Sequence, residues 1–196
     1  MKRFSMFLVL AFASLCMGNA IAQDKPSMPG GLRGEMLMNA SGVEQKILAL
    51  VNAVPQEKFT WRPGEGVRSI SEVYLHIAGA NYLFPSFAGG SKMPEGMDPK
   101  TYEQSTTDKA KIAEIVKTSF ASFRENLSKL SDADLDKTAK IFGMEMSYRA
   151  VYLLALTHMH EHLGQSIAYA RTAGVVPPWT AEQEAKAKEQ KAKKGM

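Results

Sequence analysis

Residues 157–165 read THMHEHLGQ and contain three of the protein's four histidines. Apolar residues flank this stretch on both sides, and their spacing predicts one long helix from about Ser147 to Thr172. On a helix, residues i and i+4 project from one face, so we expect His158 and His162 to lie side by side. Two imidazoles at this spacing can bind one metal ion. The stretch therefore indicates half of a metal site on a central helix.

The other two histidines have different expected roles. His160 projects roughly 200° around the helix from His158, so we interpret it as a partly exposed residue outside the pair. Glu161 also projects away from the pair, which argues against a role as general base. His76 falls on the apolar stripe of an earlier predicted helix. Either it is an ordinary core histidine, or it faces the later pair and three neutral nitrogens meet at one point.

Three further segments have the periodicity of amphipathic helices. The first spans about residues 32–54, the second begins at a capping box formed by Ser69 and Glu72, and the third spans about residues 108–130. Residues 135–146 are predicted to be irregular or briefly extended. Four helices without a convincing sheet predict an all-α fold, a four-helix bundle of up-and-down or crossover type.

The segment from Ala88 to Tyr102 is rich in glycine and proline and predicts a long crossover loop. Loops of this length inside a compact domain are often functional, so it is either a pocket wall or a plain connection. Gln165 lies on the side of His158 and His162, where it either holds the second nitrogen of a ligand histidine or packs as an ordinary amide.

Two smaller expectations concern packing. Trp61 lies in a turn-rich loop before the second helix, and we interpret it as an anchor at the core or its rim rather than as a substrate platform. Gly164 is expected to permit close approach of a neighbouring helix.

The N-terminus has the three parts of a secretory signal peptide. Lys2 and Arg3 precede an apolar run over residues 4–17, and Ala22 ends a small-x-small cleavage site. We predict removal of residues 1–22 and a periplasmic or secreted protein. An uncleaved membrane anchor is the first alternative, and lipid attachment at Cys16 is the second. Cleavage after Ala22 would remove the only cysteine and leave no thiolate for catalysis or metal binding.

The charge distribution argues against a nucleic-acid partner. The chain has a formal net charge of +4, but residues 23–180, which we assign to the folded domain, contain 17 basic and 17 acidic residues. The positive excess lies in the signal peptide and in the Lys-rich tail of residues 181–196. A phosphate-binding footprint needs a basic face on the folded part. We expect no nucleic acid and, after cleavage, no membrane as partner, and the tail is expected to be a marginal helix or disordered.

Two blocks of the sequence resemble the DinB/YfiT superfamily of metal-binding four-helix proteins. The first block is the stretch from Phe59 through Trp61 to His76-Ile77. The second is His158-x-x-x-His162-x-Gly164-Gln165 with the following exit through Gly174 and the two prolines at 177–178. The resemblance implies a divalent metal, usually zinc or nickel, held by His76, His158 and His162.

The resemblance also implies classes of function. Members of this superfamily include thiol-dependent transferases and isomerases and metal-dependent hydrolases, and most are cytoplasmic. An exported chain meets few small thiols, which favours hydrolysis or plain binding over thiol transfer. We therefore predict a metal-dependent enzyme of unknown small-molecule substrate, hydrolase-like or thiol-transferase-like. The alternative is a non-catalytic metal-binding or small-molecule-binding module, and a homodimer remains open.

Overall fold

The computed structural model describes residues 30–98 and 101–194, so the predicted signal peptide lies outside the described residues. Four long helices dominate it: α1 (Gly31–Ala53), α2 (Ile70–Phe87), α3 (Lys109–Ser128) and α4 (Tyr148–Thr172). A short hairpin of β1 (Thr138–Ile141) and β2 (Met144–Ser147) precedes α4, and α5 (Pro178–Lys194) follows it. The predicted all-α four-helix bundle is confirmed.

The helices are not arranged in chain order around the bundle. α1 packs against α3 and α4, and α2 packs against the same two helices, so consecutive helices α1 and α2 lie diagonally. Lys109 Nζ at the start of α3 donates to Asn52 O at the end of α1, at 2.7 Å, so these two helices run antiparallel. Ser91, just beyond α2, donates its N–H to Asn126 near the end of α3, so α2 and α3 run parallel.

Parallel neighbours need a connection that returns along the length of the bundle. The predicted crossover loop supplies it, leaving the end of α2 and passing back alongside that helix. Gly79, in the middle of α2, lies so close to the loop that a Cβ there would be 3.4 Å from the Tyr102 ring. A short 3₁₀ turn, Tyr102–Gln104, follows and packs on α2. The return path brings loop residues next to His76.

Helix starts follow the chemistry of the sequence. Ser69 Oγ accepts from the N–H of Glu72 while the Glu72 carboxylate accepts from the N–H of Ser69 at 2.6 Å, so the predicted capping box is confirmed. Asp108 and Ser147 cap α3 and α4 through their side chains. Each cap satisfies N–H groups that the first turn of a helix leaves unpaired.

The core is a single cluster of buried apolar side chains contributed by all four bundle helices. Its largest fully buried members include Tyr74, Tyr152, Phe59, Phe120 and Phe123. α4 contacts both α1 and α2, but α3 does the same, so these contacts do not make α4 more central than the other bundle helices.

Three sequence expectations need refinement. The segment predicted to be irregular or briefly extended contains the β1–β2 hairpin, paired antiparallel from Thr138 with Ser147 to Ile141 with Met144. The tail forms helix α5, and none of its residues is buried. Gly164 is exposed and a Cβ there would meet nothing within 4 Å, so the expected close helix approach is wrong.

Candidate metal centre

The three histidines predicted to bind a metal come together from two helices. His76 lies on α2, and His158 and His162 lie one turn apart on α4. Their ring centroids are 4.4–4.9 Å apart. The Nε2 atoms of His76 and His158 are 2.9 Å apart. His162 is buried and the other two are half-buried, so the cluster lies at the edge of the core.

Two of these rings are fixed by acceptors on their outer nitrogens. The Nδ1–H of His76 donates to Glu103 Oε1 at 2.6 Å, and the Nδ1–H of His162 donates to Gln165 Oε1 at 2.7 Å. An acceptor at Nδ1 places the proton there and leaves Nε2 with its lone pair. Partners of this kind orient metal-binding histidines. Gln165 therefore contacts the outer nitrogen of His162, as the first of its two interpretations requires, while the role of His162 as a ligand stays a prediction.

Each of these acceptors is itself held. Arg68 donates through Nε and Nη2 to the two carboxylate oxygens of Glu103, at 2.6 and 3.0 Å. Gln165 Nε2 donates to the Tyr169 hydroxyl at 3.0 Å, and the Tyr169 ring meets Trp61 edge-on. Trp61 is half-buried against the core, as expected for an anchor. Bidentate Arg–carboxylate pairing fixes the direction of Glu103 as well as its charge.

His158 differs from the other two histidines. Its Nδ1 atom is buried and has no hydrogen-bond partner among the described residues. The Phe84 ring packs against it at a centroid distance of 5.5 Å. An unpartnered polar atom in an apolar setting carries a desolvation cost, and this setting distinguishes His158 from the two histidines whose outer nitrogens are held.

Burial lowers the pKa values of two of the three histidines, His76 and His158. Burial, reinforced by its two histidine neighbours, lowers the pKa of His158 from 6.5 to about 3. Burial also lowers the pKa of His76, although the bond to Glu103 opposes this. For Glu103, burial alone would raise the pKa, but hydrogen bonds from Arg68 and His76 lower it below its usual range. Neutral imidazoles beside an ionised carboxylate are the protonation states that a cation needs.

The donor set fits a divalent metal. One candidate nitrogen from each histidine lies within 4.8 Å of the others. In a tetrahedral zinc site, bonds of about 2.0–2.1 Å place two nitrogens about 3.3 Å apart, so binding would draw the wider pairs together and separate the Nε2 atoms of His76 and His158 slightly. His160 is exposed on another face, where Nε2 contacts Asn39 Oδ1 at 2.7 Å, as predicted for a residue outside the site. The ligand role of the three histidines remains a prediction.

Two of the three histidines, His76 and His158, line a cavity. It has a volume of about 280 Å³ and is partly open to solvent. His76, His158 and Glu103 contribute polar atoms to its wall. The other lining residues are Leu75, Gly79, Ala80, Leu83, Phe84, Met93, Tyr102 and Phe142. Met93 and Tyr102 belong to the crossover loop, so the expectation that this loop forms a pocket wall is confirmed.

Sequence reasoning missed Arg68, Glu103 and Phe142. Glu103 follows the loop and is 27 residues from His76, so no helical or strand periodicity relates the two. Only the crossover path brings them together. Phe142 is at the tip of a hairpin that the sequence indicated no more than weakly.

Comparison with known proteins identifies the family to which the chain belongs. Residues 27–193 match the sequence profile of the DinB family, which is most of the chain. The protein belongs to the DinB family. No curated protein matches it at a significant level of sequence similarity.

Solved structures of this family share the fold. A DinB-like protein from Bacillus cereus ATCC 10987 matches with a TM-score of 0.66 at 21% identity, over 75% of this chain and 95% of that one. YfiT from Bacillus subtilis, described as a "probable metal-dependent hydrolase with an unusual four-helix bundle topology", matches with a TM-score of 0.59 at 15% identity, over 80% and 97%.

A third structure matches more loosely. A mycothiol-dependent maleylpyruvate isomerase has a TM-score of 0.54 at 15% identity, over 67% of this chain and 59% of that one. At these identities the likenesses establish the fold of this DinB-family protein. The reaction has to be argued from its own site.

Proposed function

We propose that this DinB-family protein is a metal-dependent enzyme of hydrolase type that acts outside the cytoplasm. The observation that carries the proposal is that His76 and His158 lie in the wall of a cavity and not inside a closed core. A ligand in the cavity therefore contacts the proposed metal site directly. Catalytic metal sites keep such an open position, whereas structural sites are closed by a fourth protein ligand.

The three histidines would hold the cation, zinc or nickel, through Nε2. When bound, the ion supplies Lewis-acid chemistry, polarising a carbonyl or a comparable group of the substrate. Glu103 and Gln165 keep the protons of His76 and His162 on Nδ1, so their Nε2 atoms remain available. The lowered pKa of His158 keeps its ring uncharged at neutral pH, so that one of its two nitrogens carries a lone pair. The apolar wall limits the amount of water around the reacting group.

The composition of the cavity wall supports metal-dependent rather than covalent catalysis. Among the described residues, its lining includes no serine, threonine, cysteine or lysine. The carboxylate in the wall, Glu103, is already paired with Arg68 and His76, which makes it a poor covalent nucleophile. A reaction at this cavity is therefore expected to depend on the metal.

The experiment has to distinguish hydrolysis from two alternative functions. A non-catalytic module that stores metal or uses it for stability predicts that chelation unfolds the protein. A thiol-dependent transferase or isomerase, the class named for one structural relative, predicts turnover only with an added small thiol. Both alternatives use the same histidine site. The first differs from a hydrolase because its metal is needed for folding and not for turnover, and the second because its turnover needs an added thiol.

The experiment begins with metal analysis of protein purified from the periplasm or medium. We expect about one zinc or nickel per chain, and hydrolysis of at least one member of a panel of 4-nitrophenyl esters, anilides and phosphoesters. His158→Ala should remove both metal and turnover while the far-ultraviolet circular dichroism spectrum stays unchanged. His160→Ala is the matched control and should change neither. Metal binding without turnover, with unfolding on chelation, would overturn the enzymatic proposal in favour of a storage module.

Export is a separate part of the proposal. Cleavage after Ala22 predicts that the mature protein begins at Gln23, which N-terminal sequencing or intact mass measures directly. An uncleaved chain, or a mature chain beginning with lipid-modified Cys16, would contradict it. Among the described residues, no helix is both long and apolar enough to cross a membrane.

A further inference from the structure

The cavity next to the histidines has one polar end and an otherwise apolar wall. His76, His158 and Glu103 form the polar end. Leu75 and Phe84 are buried beneath it, while Leu83 and Met93 are half-buried along its sides. Contact with apolar surface contributes about 25 cal/mol per Å² removed from water. The wall therefore stabilises a ligand with an apolar body.

The charges around the cavity argue against a carboxylate on the apolar body of that ligand. Among the described residues, no lysine or arginine lines the cavity. The nearby Arg68 is already paired with both carboxylate oxygens of Glu103. A carboxylate in the apolar part would lose its hydration without gaining a cation, which is costly.

Tyr102 adds a neutral polar group to the wall. Burial, together with the neighbouring Tyr82, raises the pKa of Tyr102 to about 12. The hydroxyl is therefore uncharged at neutral pH and can exchange a hydrogen bond with a neutral group, but it cannot neutralise an anion.

Phe142 is an apolar residue in an unfavourable place. Its side chain is 68% exposed, and its φ of 49° lies in the left-handed region. It forms a two-residue turn with Gly143, whose φ is 83°. Such hairpin turns need positive φ at both positions and favour Asn-Gly. A phenylalanine there loses stability both through its backbone and through its exposed ring.

The position of the Phe142 ring suggests a role in ligand binding that compensates for this loss of stability. Phe142 lines the cavity and meets Phe87 at a centroid distance of 5.7 Å. An apolar body in the cavity would cover part of the exposed ring. A phenylalanine in a turn that favours other residues is a reason to look for a role in binding.

We propose that the substrate of this site is a small compound with an uncharged apolar body and a single polar head. The head faces the histidines, and the body contacts Leu83, Phe84 and Phe142. This inference rests on the proposed function for the role of the head. The volume of about 280 Å³ is at the lower end of the range for small-molecule pockets, about 300–1,000 Å³, so the compound is smaller than a typical drug.

The first experiment tests the apolar body without the metal. Chelated protein is titrated with 4-phenylbutan-1-ol, and the methyl resonances of Met93 and Leu83 are followed by NMR. We expect saturable shifts, which Leu83→Lys weakens by about tenfold or more because it places a charge in the cavity wall. Leu153→Lys, which adds the same charge to an exposed site on α4 outside the cavity, is the control and should keep the affinity.

The second experiment tests the head and the selectivity. Zinc-loaded protein is titrated with 4-phenylbutanohydroxamic acid and with succinic acid monohydroxamate, which share one metal-binding head. The compound with the apolar phenyl tail should bind at least about tenfold more tightly than the compound with the anionic tail. Leu83→Lys should reduce this ratio of affinities or reverse it. Equal affinity for both tails, or no saturable binding of 4-phenylbutan-1-ol, would overturn the substrate class. Loss of zinc binding alone would overturn the proposed function and leave the first experiment intact.

A third variant separates ligand binding from folding. Phe142→Asn suits the turn better, so the free energy of unfolding should stay equal or rise. Affinity for 4-phenylbutan-1-ol should nevertheless fall, since the ring no longer covers the ligand. A variant that keeps full affinity would contradict the role of Phe142, and a variant that loses stability would contradict the argument from strain.

Discussion

At the scale of single residues, the candidate site depends on which ring nitrogen of each histidine is free. Glu103 and Gln165 settle this for His76 and His162 by accepting from Nδ1. The i, i+4 pair on α4 was predictable from sequence because helical geometry alone relates its members. Glu103 was not, since its contact with His76 depends on the path of an irregular loop.

Replacing Glu103 tests this arrangement. Glu103→Gln removes the negative charge that accepts from His76 and pairs with Arg68, and we expect metal affinity to fall by about 10–100-fold. Competition with a chromogenic chelator measures the change. Glu125→Gln, which loses an exposed ion pair with Lys129, is the matched control. Equal affinities for the two variants would show that the Glu103 carboxylate does not support the site.

The neutral state of His158 has a consequence for the metal-free protein. Its pKa is about 3 when folded, against 6.5 ordinarily. Between these pH values the unfolded chain binds more protons, so the free energy of unfolding should decrease as pH falls from about 6.5 towards 3. Above pH 6.5 this contribution is complete.

Urea titrations of chelated protein at pH 7.5 and pH 5 measure that dependence. His158→Leu should flatten it, because the group that resists protonation is gone. His160→Leu should not, since His160 is exposed. A wild-type protein equally stable at both pH values would contradict the burial of a neutral His158.

At the scale of elements, helix starts were predictable and the connections were not. Ser69 and Glu72 form their capping box because both partners lie within one turn. The β1–β2 hairpin and the return of the crossover loop depend on packing against α2, which no local pattern encodes. The sequence therefore predicted the helices of the bundle better than the path of the loop between α2 and α3.

The start of α2 offers a test at this scale. Ser69→Ala removes the side-chain cap, and we expect the free energy of unfolding to fall by about 1 kcal/mol. Chemical denaturation measures it. Ser128→Ala, at the exposed end of α3, removes a hydroxyl that donates to Glu125 O and should change stability by less than about 0.5 kcal/mol. Equal losses in both variants would argue against a special role for the cap.

At the scale of the whole molecule, the bundle is complete without the end of the chain. Every described residue from 181 to 194 is exposed, whereas Trp179 still packs against the core. The division at residue 180, made from composition, remains a prediction that truncation can test.

Removing residues 181–196 should change the free energy of unfolding by less than about 0.5 kcal/mol and leave metal affinity unchanged. Denaturation and chelator competition measure the two quantities, and the full-length protein is the reference. A larger loss of stability that depends on protein concentration would contradict the prediction, and would show that the tail packs in an assembly such as the homodimer that the sequence left open.

The parallel arrangement of α2 and α3 also affects when the site forms. His76 and His158 are 82 residues apart, and Glu103 reaches His76 only after the crossover loop has closed. Contacts this distant along the chain form late, because closing the loop between them loses conformational entropy before the contacts themselves stabilise the fold. A chain translocated while still unfolded would acquire its ion only where folding finishes. The metals available in that compartment, rather than those at the ribosome, would then decide which ion the protein carries.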